Sequence, residues 1–491
     1  WQTARVAVRA RRNSGSDGLF RIGYAGGSRT HQKDFAVAAT ALAKALRDRP
    51  ECLLVLFRRE STPCLDLDEF PELVPLAARI EWRDLVPVED VPRELARFDI
   101  NLVPLEPGNP FCEAKSELKF FEAALAGVPS ICSPTLAHSA AIRDGESGIL
   151  AEDEAAWHAA IIRLADDPAL RERMARAAYH DVLWSFGPEC RAELMHSALE
   201  QILHRGRRAA RAVELDLARA NRVRPPLPQV PEADTILYSD ADGDAEVTVI
   251  VPLHNYAHFI AEALDSVRDQ ILPAIDLVVV DDCSSDDSLA VARGWMERNL
   301  SRFNRALLLR NQTNAGLALT RNTGFAAAET LYVLQLDADN KLLPSCASCC
   351  LEAIKATGAA FVYPTLRQFG AADEIFCECS YDPARLANGN YIDATALVRL
   401  SAWAAVGGYE HMPYGWEDYD LWCRFAERGL FGHHVPEILA LYRVHDGSML
   451  RTVTDIEQNK QRLIANMRAR HPWILGWPQI ASEQTQSKSY R

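Results

Sequence analysis

The stretch "LYVLQLDADN", residues 331–340, decides the fold of the second half of this 491-residue chain. Mostly apolar residues, typical of a buried strand, run directly into Asp337, Ala338 and Asp339. Because side chains alternate along a strand, both carboxylates point to one side if the extended conformation persists to Asp339. Such a pair needs compensation, and the hard cations Mg²⁺ and Mn²⁺ prefer carboxylate oxygens. The alternative is a solvated turn, since Asp and Asn are common turn residues.

Short apolar stretches alternate with helical patterns in both halves of the chain. In the second half the apolar stretches are "VTVIVP" (247–252), "IDLVVVD" (275–281), "RALLLRN" (305–311) and the one ending at Asp337. In the first half, "FRIGYAGG" (20–27) and "DINLVPLE" (99–106) belong to a similar alternation. Strand–helix alternation predicts right-handed crossovers and parallel sheets. We therefore predict an α/β protein with two Rossmann-like domains.

Composition excludes several classes of protein. The chain is 48% hydrophobic and 24% charged, as in soluble globular proteins. A formal net charge of -14 argues against nucleic-acid binding, which needs an electropositive surface. No apolar run approaches the roughly 18 residues of a membrane span, and no cleavable leader pattern is present, so we expect a cytoplasmic protein.

The twelve cysteines are spread over a long chain, which favours reduced thiols over a disulfide framework. Cys346, Cys349 and Cys350 include a C-x-x-C spacing that is compatible with zinc. They lack a second ligand pair at a suitable spacing, so we favour an apolar helix face.

Polar side chains follow several predicted strands of the second half. Asn255 and Tyr256 follow the first, Asp281 and Asp282 end the next, and Asp337 and Asp339 end a later one. Ligands of open α/β sheets bind at the carboxyl ends of strands. Each group alone is more often a turn or a cap, but their co-occurrence in one α/β unit predicts a binding site.

These residues resemble the glycosyltransferase family 2 pattern with its GT-A fold. The resemblance covers about 200 residues, from "VTVIVPLHN" (247–255) through "QLDADN" (335–340) to "GWEDYDLW" (415–422) and "YRVHDGSM" (442–449). It implies that Asp339 and Asp337 bind Mn²⁺ or Mg²⁺, with His445 as a further metal ligand. It implies a nucleotide-diphosphate sugar donor contacted by the residues Pro252, Asn255, Tyr256, Asp282, Arg321, Asn322, Asp337, Arg443 and Ser448.

Glu417 and Asp418 lie where a helix is predicted to begin. Leu421, Trp422 and Phe425 have helical spacing, and acids at a helix start are also ordinary caps. Within the resemblance this is the catalytic acidic pair, with Asp418 as the base and Glu417 positioning the acceptor. Residues 388–403 are expected to form the acceptor-side wall.

The first half is similar to the donor-binding half of GT-B glycosyltransferases of the family 4 type, over roughly residues 19–200. A Gly turn before a helix, with Gly27, Arg29 and Lys33, could expose amides and positive charge to a phosphate. The family has two glutamates eight positions apart; Glu122 fits the second, but the first position is Ala114. We therefore expect either a truncated transferase or, preferably, a non-catalytic scaffold.

The expected organisation has four parts: a GT-B-like domain over 1–203, an Arg-rich helix and Pro-rich linker over 204–245, a GT-A domain over 246–472 and a tail over 473–491. The Arg-rich helix could contact an anionic membrane surface, against the alternative of a solvated connecting helix. The expected function is an inverting glycosyltransferase acting on a glycan or lipid-linked glycan, as in bacterial surface polysaccharide synthesis. The alternatives are a nucleotidyltransferase-like enzyme and a non-catalytic assembly module.

Overall fold

The computed structural model describes residues 17–27, 31–187, 195, 199, 225–241 and 243–474. The chain divides into two compact units, Trp1–Arg222 and Val223–Arg491. The Arg-rich segment 204–224 lies outside the described residues, as does the tail from residue 475.

The N-terminal unit is built on a sheet with the strand order β3-β2-β1-β5-β6-β7, in which β4 also pairs with β2. All its pairings are parallel except the one between β2 and β3. Its strands are β1 (Phe20–Gly23), β2 (Cys52–Arg59), β3 (Thr62–Pro63), β4 (Ile80–Asp84), β5 (Ile100–Val103), β6 (Ser130–Cys132) and β7 (Ile149–Leu150). Its helices are α1 (Gln32–Asp48), α2 (Val91–Leu95), α3 (Pro110–Glu113), α4 (Leu118–Leu125), α5 (Leu136–Ala141), α6 (Glu154–Asp166) and α7 (Pro168–Phe186).

Helix α1 shows how this unit forms its core. Phe35, Ala38, Leu42 and Leu46 recur at helical spacing and are all buried. They belong to one apolar cluster with the buried Trp157 of α6 and the central strands. The first half therefore has the α/β architecture that the alternation predicts.

The C-terminal unit contains a second sheet, of ten strands among the described residues, in the order β13-β17-β14-β16-β12-β9-β10-β11-β8 with β15 beside β14. The strands are β8 (Ala233–Asp240), β9 (Val247–Leu253), β10 (Asp276–Asp281), β11 (Arg305–Asn311), β12 (Tyr332–Gln335), β13 (Lys341–Leu342), β14 (Phe361–Gly370), β15 (Ile375–Phe376), β16 (Leu397–Arg399) and β17 (Gly432–Val444). The helices are α8 (Ile260–Arg268), α9 (Ser288–Asn299), α10 (Leu317–Ala327), α11 (Cys346–Thr357), α12 (Leu400–Ala405), α13 (Glu417–Glu427) and α14 (Glu457–Arg470).

The centre of this sheet is parallel and its flanks are mixed. Strands β11, β10, β9 and β12 pair in parallel, as predicted, and every residue of β9 and β10 is buried. Antiparallel pairings follow on one side, where β12 meets β16 and β16 meets β14. The carboxyl ends of β9, β10 and β12 therefore meet at one edge, which positions the candidate site.

The linker expected over 204–245 is corrected in its second half. Residues Ala233–Asp240 form β8, which pairs antiparallel with β11 at the edge of the C-terminal sheet. Upstream of β8, the Gln229 carbonyl accepts a hydrogen bond from Asn322. The strand was not recognised in the sequence because it contains acidic residues. An edge strand is only half-buried and therefore tolerates charged side chains.

The eleven cysteines that the structure describes are all free thiols. Cys346, Cys349 and Cys350 lie on α11, with Cys346 and Cys350 buried in its apolar face. This burial agrees with the interpretation of an apolar helix face. Among the helices described, none combines the length and apolar character needed to span a bilayer.

Candidate active site

The two acids after β12 lie on one side of the chain. Ala338 between them is 1% exposed, whereas Asp337 and Asp339 both keep part of their side chains accessible. The Asn340 amide donates to the Asp337 carbonyl at 3.0 Å, which closes a turn. Strand β12 ends at Gln335 and Ala338 and Asp339 lie in the turn, so the turn, and not a strand extended to Asp339, is the alternative observed.

Asp339 lies against His445, with 3.1 Å between Oδ2 and Nε2. Burial, followed by the charge of Asp337, raises the pKa of the Asp339 carboxyl above its usual value. The ring of Tyr256 lies 5.9 Å from that of His445, and its hydroxyl contacts Asp339. Asp339 therefore lies close to a second carboxylate, Asp337, and to the imidazole of His445. Carboxylate oxygen together with imidazole nitrogen is a set of ligands that suits Mn²⁺.

Asp337 differs from this pair because it already has a cationic partner. Its Oδ1 accepts from Arg321 Nη2 at 2.8 Å. No group of three side chains that could hold a metal occurs among the described residues. Asp339 and His445 fit a metal, while a direct bond from Asp337 would require Arg321 to release it.

Arg443 holds the turn rather than facing open space. Its Nε donates to the Asp339 carbonyl at 2.8 Å, and its backbone amide donates to the side chain of Asn340. Its guanidinium also pairs with Glu262 and lies 4.4 Å from the ring centre of Phe259. A contact of the Arg443 side chain with the donor, as predicted, would therefore compete with its existing contacts to the Asp339 carbonyl, Glu262 and Phe259.

Arg321 links the strand end to the acidic pair. This buried guanidinium of α10 donates from Nη1 to Glu417 Oε1 at 2.6 Å, in addition to its bond with Asp337. Glu417 is itself buried, at 6% exposure, and begins α13 as predicted. One cation therefore fixes two carboxylates that are distant in sequence.

Asp418 is the acid of the pair without a cationic partner at hydrogen-bond distance. Its Oδ1 accepts from the Tyr419 amide at 2.8 Å and its Oδ2 from Asn390 Nδ2 at 3.0 Å. Burial, and next the charge of Glu417, raise the pKa of Asp418 to about 7. A carboxyl that titrates near neutral pH can exchange a proton with a bound hydroxyl.

The turn before α13 has an unusual backbone that aims these acids. Tyr414, Gly415 and Trp416 all have positive φ, at 77°, 113° and 67°. The Thr454 hydroxyl donates to the Tyr414 carbonyl at 2.7 Å, which holds the turn. Consecutive left-handed residues store strain, and such strain is concentrated at functional sites.

Two residues that the sequence did not single out belong to this site. Asn390 contacts Asp418, and Asp393 is a carboxyl whose pKa is raised to about 6 by burial and then by Asp337. Both fall in the segment 388–403, predicted as a wall without assigned residues. The available signal was the pattern "NGNYID" of polar residues before a strand, which alone is typical of a turn.

The predicted nucleotide contacts near β9 and β10 are engaged within the protein. Both carboxylate oxygens of Asp282 accept backbone amides, from Ala315 and Gly316, at 2.8 Å. The Asn255 side chain accepts from the Ser285 amide at 2.8 Å. These residues lie at strand ends as expected, but here their side chains order loops, so base contacts remain predictions.

Asn322 and Pro252 are placed in the interior. Asn322 has no exposed surface, and its amide bonds to Gln229, Trp403 and the backbone of Tyr409. Its predicted contact with the nucleotide is not supported, because its side chain leaves α10 about 100° from that of Arg321. Pro252 is buried within β9, and Ser448 is buried in the turn after His445.

The possible nucleotide site of the N-terminal unit is only partly described. Gly27 is exposed with open space at its Cβ position, and Lys33 is exposed at the start of α1, but Arg29 lies outside the described residues. Burial raises the pKa of the Glu122 carboxyl. The structure does not bring these residues together in a described contact.

A buried carboxylate that the sequence did not reveal lies in the same unit. Asp34, which is 5% exposed, accepts from Lys115 Nζ at 2.7 Å, from Cys112 Sγ at 3.2 Å and from the Glu106 amide at 3.3 Å. Burial alone would raise the pKa of Asp34, but these bonds hold it at about 2. Lys115 stands next to Ala114, the position where the family has its first glutamate.

Each of the two units contains a region that matches a known protein family. Residues 248–375 match the model of Glycosyl transferase family 2, and residues 20–167 match that of Glycosyl transferases group 1. The chain carries two glycosyltransferase domains. The resemblances predicted for the two halves are therefore confirmed.

Curated relatives are also glycosyltransferases. Putative glycosyltransferase EpsE of Bacillus subtilis is 27% identical over 210 residues, covering 41% of this chain and 74% of the relative. Chondroitin synthase of Pasteurella multocida is 24% identical over 192 residues, covering 38% of this chain. This chain spans only 19% of the length of that synthase and of the hyaluronan synthase of the same organism.

Solved structures match with low overall similarity. S. aureus TarS 1-349 in complex with UDP-GlcNAc gives a TM-score of 0.39 at 17% identity, covering 46% of this chain and 67% of that one. A mannosyltransferase from Pyrobaculum calidifontis in complex with GDP-Man and Mn²⁺ gives 0.35 at 19% identity, covering 54% and 70%.

Proposed function

We propose that the C-terminal unit transfers a sugar from a nucleotide-diphosphate donor to a hydroxyl group of a glycan or lipid-linked glycan, with inversion at the sugar carbon. One observation carries the proposal: Arg321 joins Asp337 at the strand end to Glu417, which stands next to Asp418. Donor-side and acceptor-side groups are thus held at one centre, as a displacement at a single carbon requires.

Asp418 acts as the base of this reaction. The acceptor oxygen attacks the sugar carbon and its proton passes to an oxygen of Asp418, while the bond from that carbon to the phosphate oxygen breaks and the nucleoside diphosphate leaves. A pKa near 7 leaves a useful fraction of Asp418 ionised at neutral pH. Attack opposite the leaving group inverts the sugar carbon, and the carbon is oxocarbenium-like in the transition state.

Asp339 and His445 hold a divalent cation, Mn²⁺ or Mg²⁺. When bound, this ion supplies positive charge that stabilises the departing diphosphate. Arg321 neutralises Asp337, and Arg443 orders the turn through the Asp339 carbonyl. These contacts keep the negative charge of the site low enough for an anionic donor to enter.

The acceptor is proposed to be a bacterial surface polysaccharide or its lipid-linked precursor. Relatives include a putative teichuronic acid biosynthesis glycosyltransferase of Bacillus subtilis, 27% identical over 210 residues. A lipid-linked acceptor would bring the reaction to a membrane surface, which flotation with vesicles carrying anionic lipid would detect.

Calorimetric titration of UDP, GDP and CDP, with and without Mn²⁺, tests the proposal. We expect metal-dependent binding of one nucleotide, lost in Asp339→Ala and weakened in His445→Ala. His433→Ala, on β17 but outside the site, is the matched control. Metal-independent binding, or binding that survives Asp339→Ala, would exclude this donor site. Absence of binding by the folded protein would favour the assembly module.

Asp418→Asn separates sugar transfer from nucleotidyl transfer. The substitution should leave nucleotide binding intact and abolish release of nucleoside diphosphate from the matching sugar nucleotide. Release of pyrophosphate from a nucleoside triphosphate, unaffected by Asp418→Asn, would instead indicate a nucleotidyltransferase.

A further inference from the structure

We propose that Asn390 is a positioning residue that orients the carboxylate of Asp418 and sets the pH range in which it acts as a base. This inference deepens the proposed function and rests on it for the role of Asp418. It concerns a contact between a loop and a helix whose partners are 28 residues apart in the chain.

The geometry of Asn390 leaves one orientation of its amide. The Oδ1 atom accepts from the Ile392 amide at 3.1 Å, so the Nδ2 atom is the one that faces Asp418. An amide nitrogen can only donate, and it donates to Asp418 Oδ2 at 3.0 Å. The Asn390 side chain is thus fixed at both ends of its amide.

The two oxygens of Asp418 are thereby held separately. Oδ1 accepts from the Tyr419 amide of its own helix, and Oδ2 accepts from Asn390. Two donors on different oxygens fix the plane of the carboxylate. Each oxygen retains a further lone pair, so a hydroxyl of the acceptor can still approach.

The Asn390 bond opposes the charges around Asp418. The titratable and charged groups that face it are Arg321, Cys377, Asp393, Tyr409, Glu417, Cys423 and Tyr442. Of these, Glu417 and Asp393 disfavour the carboxylate and Arg321 favours it. A donor that bonds to the ionised form lowers a carboxyl pKa, so Asn390 keeps Asp418 ionised at lower pH than its carboxylate neighbours would allow.

The loop does not depend on Asn390 for its attachment to α13. The Trp422 indole donates to the Ile392 carbonyl at 3.1 Å, and the Tyr419 hydroxyl donates to the Leu386 carbonyl. Both bonds are on the buried side of the helix, and both would remain in Asn390→Ala. The substitution removes the hydrogen bond to Asp418 and the one from the Ile392 amide, while the Trp422 and Tyr419 bonds keep the loop attached to α13.

The test is a titration of Asp418 in the full chain, followed by the ¹³C resonance of its carboxyl group. Aspartate is labelled, and the Asp418 signal is assigned by its loss in Asp418→Asn. We expect the midpoint to rise by about one pH unit in Asn390→Ala, the effect of losing one hydrogen bond to a charged group. Asn390→Ser, which keeps a donor, should restore part of the shift.

Asn388→Ala is the matched control, because Asn388 is an exposed Asn two positions away. In this variant Asp418 should titrate with the same midpoint as in the unsubstituted protein. An unchanged Asp418 midpoint in Asn390→Ala, with the protein folded, would overturn the proposal. An equal rise of the Asp418 midpoint in Asn388→Ala would also overturn the proposal, because any change in the loop would then have the same effect as the loss of Asn390.

A kinetic arm separates this inference from the proposed function. Release of UDP or GDP from UDP-GlcNAc, UDP-glucose or GDP-mannose is measured against pH with Mn²⁺. We expect Asn390→Ala to lower kcat about fivefold at pH 7 with an unchanged donor KM, and kcat to recover at higher pH. A uniform loss of kcat at every pH would contradict the proposal that Asn390 sets the pH range in which Asp418 acts. Turnover that Asp418→Asn does not reduce would contradict the proposed function, while the carboxyl titration would still decide the contact.

Discussion

Arg321 and Glu417 form a buried ion pair, 2.6 Å between Nη1 and Oε1, across 96 positions of sequence. The same guanidinium binds Asp337, so α10, the turn after β12 and the first turn of α13 meet at one side chain. A planar guanidinium can serve two carboxylates at once, which an ammonium cannot do with the same geometry. The arrangement of the site therefore depends on arginine at this position.

Arg321→Lys should lower both stability and turnover. One carboxylate would lose its partner in a buried environment, so we expect a loss of about 2–4 kcal/mol in the free energy of unfolding. Release of nucleoside diphosphate should fall at least about tenfold. Denaturant unfolding and a donor-turnover assay measure the two effects.

Arg305→Lys is the control for Arg321→Lys. Arg305 is also buried, and its Nη2 lies 3.6 Å from Glu329, away from the acidic pair. The Arg305→Lys variant should have a lower free energy of unfolding and an unchanged donor turnover. Equal losses of turnover in the two variants would mean that Arg321 acts only through stability.

The stability of the protein should depend on Asp418 with a defined sign. Its pKa is about 7 in the folded protein and near 4 in an unfolded chain, so the folded state holds the proton between these values. The stabilising contribution of Asp418 is full below about pH 4 and is lost as pH rises through about 7. Asp418→Asn should therefore raise Tm more at pH 8 than at pH 5, as thermal unfolding at both pH values would measure.

Asp373→Asn provides the comparison for Asp418→Asn. Asp373 is an exposed carboxylate whose pKa is lowered by a hydrogen bond from Arg367. Its replacement should not give a Tm gain that grows with pH. If the Tm difference for Asp418→Asn is the same at both pH values, the raised pKa is refuted.

Gly408→Ala should destabilise the C-terminal unit more than Gly358→Ala. Both glycines have positive φ, at 76° and 68°, so both substitutions carry the cost of a left-handed alanine, about 1 kcal/mol. A Cβ at Gly408 would also lie 2.8 Å from Pro228 and 2.9 Å from Asn322 Oδ1, whereas nothing lies within 4 Å at Gly358. Overpacking adds about 1–3 kcal/mol, which denaturant unfolding would resolve; equal losses would contradict the contact.

Asp34→Asn should affect the N-terminal unit alone. Asp34 stabilises the fold above its unfolded pKa near 4, and this contribution is lost as pH falls through about 2. At pH 7 we expect a loss of about 1–3 kcal/mol because Lys115 loses its charged acceptor. The exposed Asp68 supplies the control, Asp68→Asn, with no loss expected.

The same variant tests the scaffold interpretation of the N-terminal unit. If that unit is non-catalytic, Asp34→Asn should leave donor turnover unchanged at a temperature where the protein remains folded. A loss of turnover under those conditions would assign the unit a part in the reaction.

Local pattern was sufficient for the parts of the fold that depend on neighbouring residues. The spacing of Leu421, Trp422 and Phe425 predicted a helix beginning near Glu417, and α13 runs Glu417–Glu427. The apolar run before Asp337 predicted a buried strand, and β12 is that strand, although it ends at Gln335 and the two acids lie in the turn that follows. These features are determined by periods of 2 and 3.6 residues, which a sequence displays directly.

The rest of the site depends on contacts between distant segments. Arg321 and Asn322 are adjacent in sequence, yet one faces the acids and the other is enclosed by Trp403 and Tyr409. Asn390 lies in a loop and contacts Asp418 at the start of α13. No periodic pattern in the sequence identifies a loop residue that makes such a contact. The prediction of a linker from composition was also wrong at β8, because the acidic residues of this edge strand resemble those of a linker.

The edge position of β8 bears on how the C-terminal unit could be separated from the rest of the chain. Cleavage near residue 245 would remove β8 and uncover the hydrogen-bonding edge of β11, Arg305–Asn311, whose residues are nearly all buried. An uncovered apolar edge pairs readily with a second copy of itself, which is a route to aggregation. A fragment that keeps residues 225–240 retains its own edge protection, and proteolysis upstream of 225 should release a soluble product where cleavage at 245 should not.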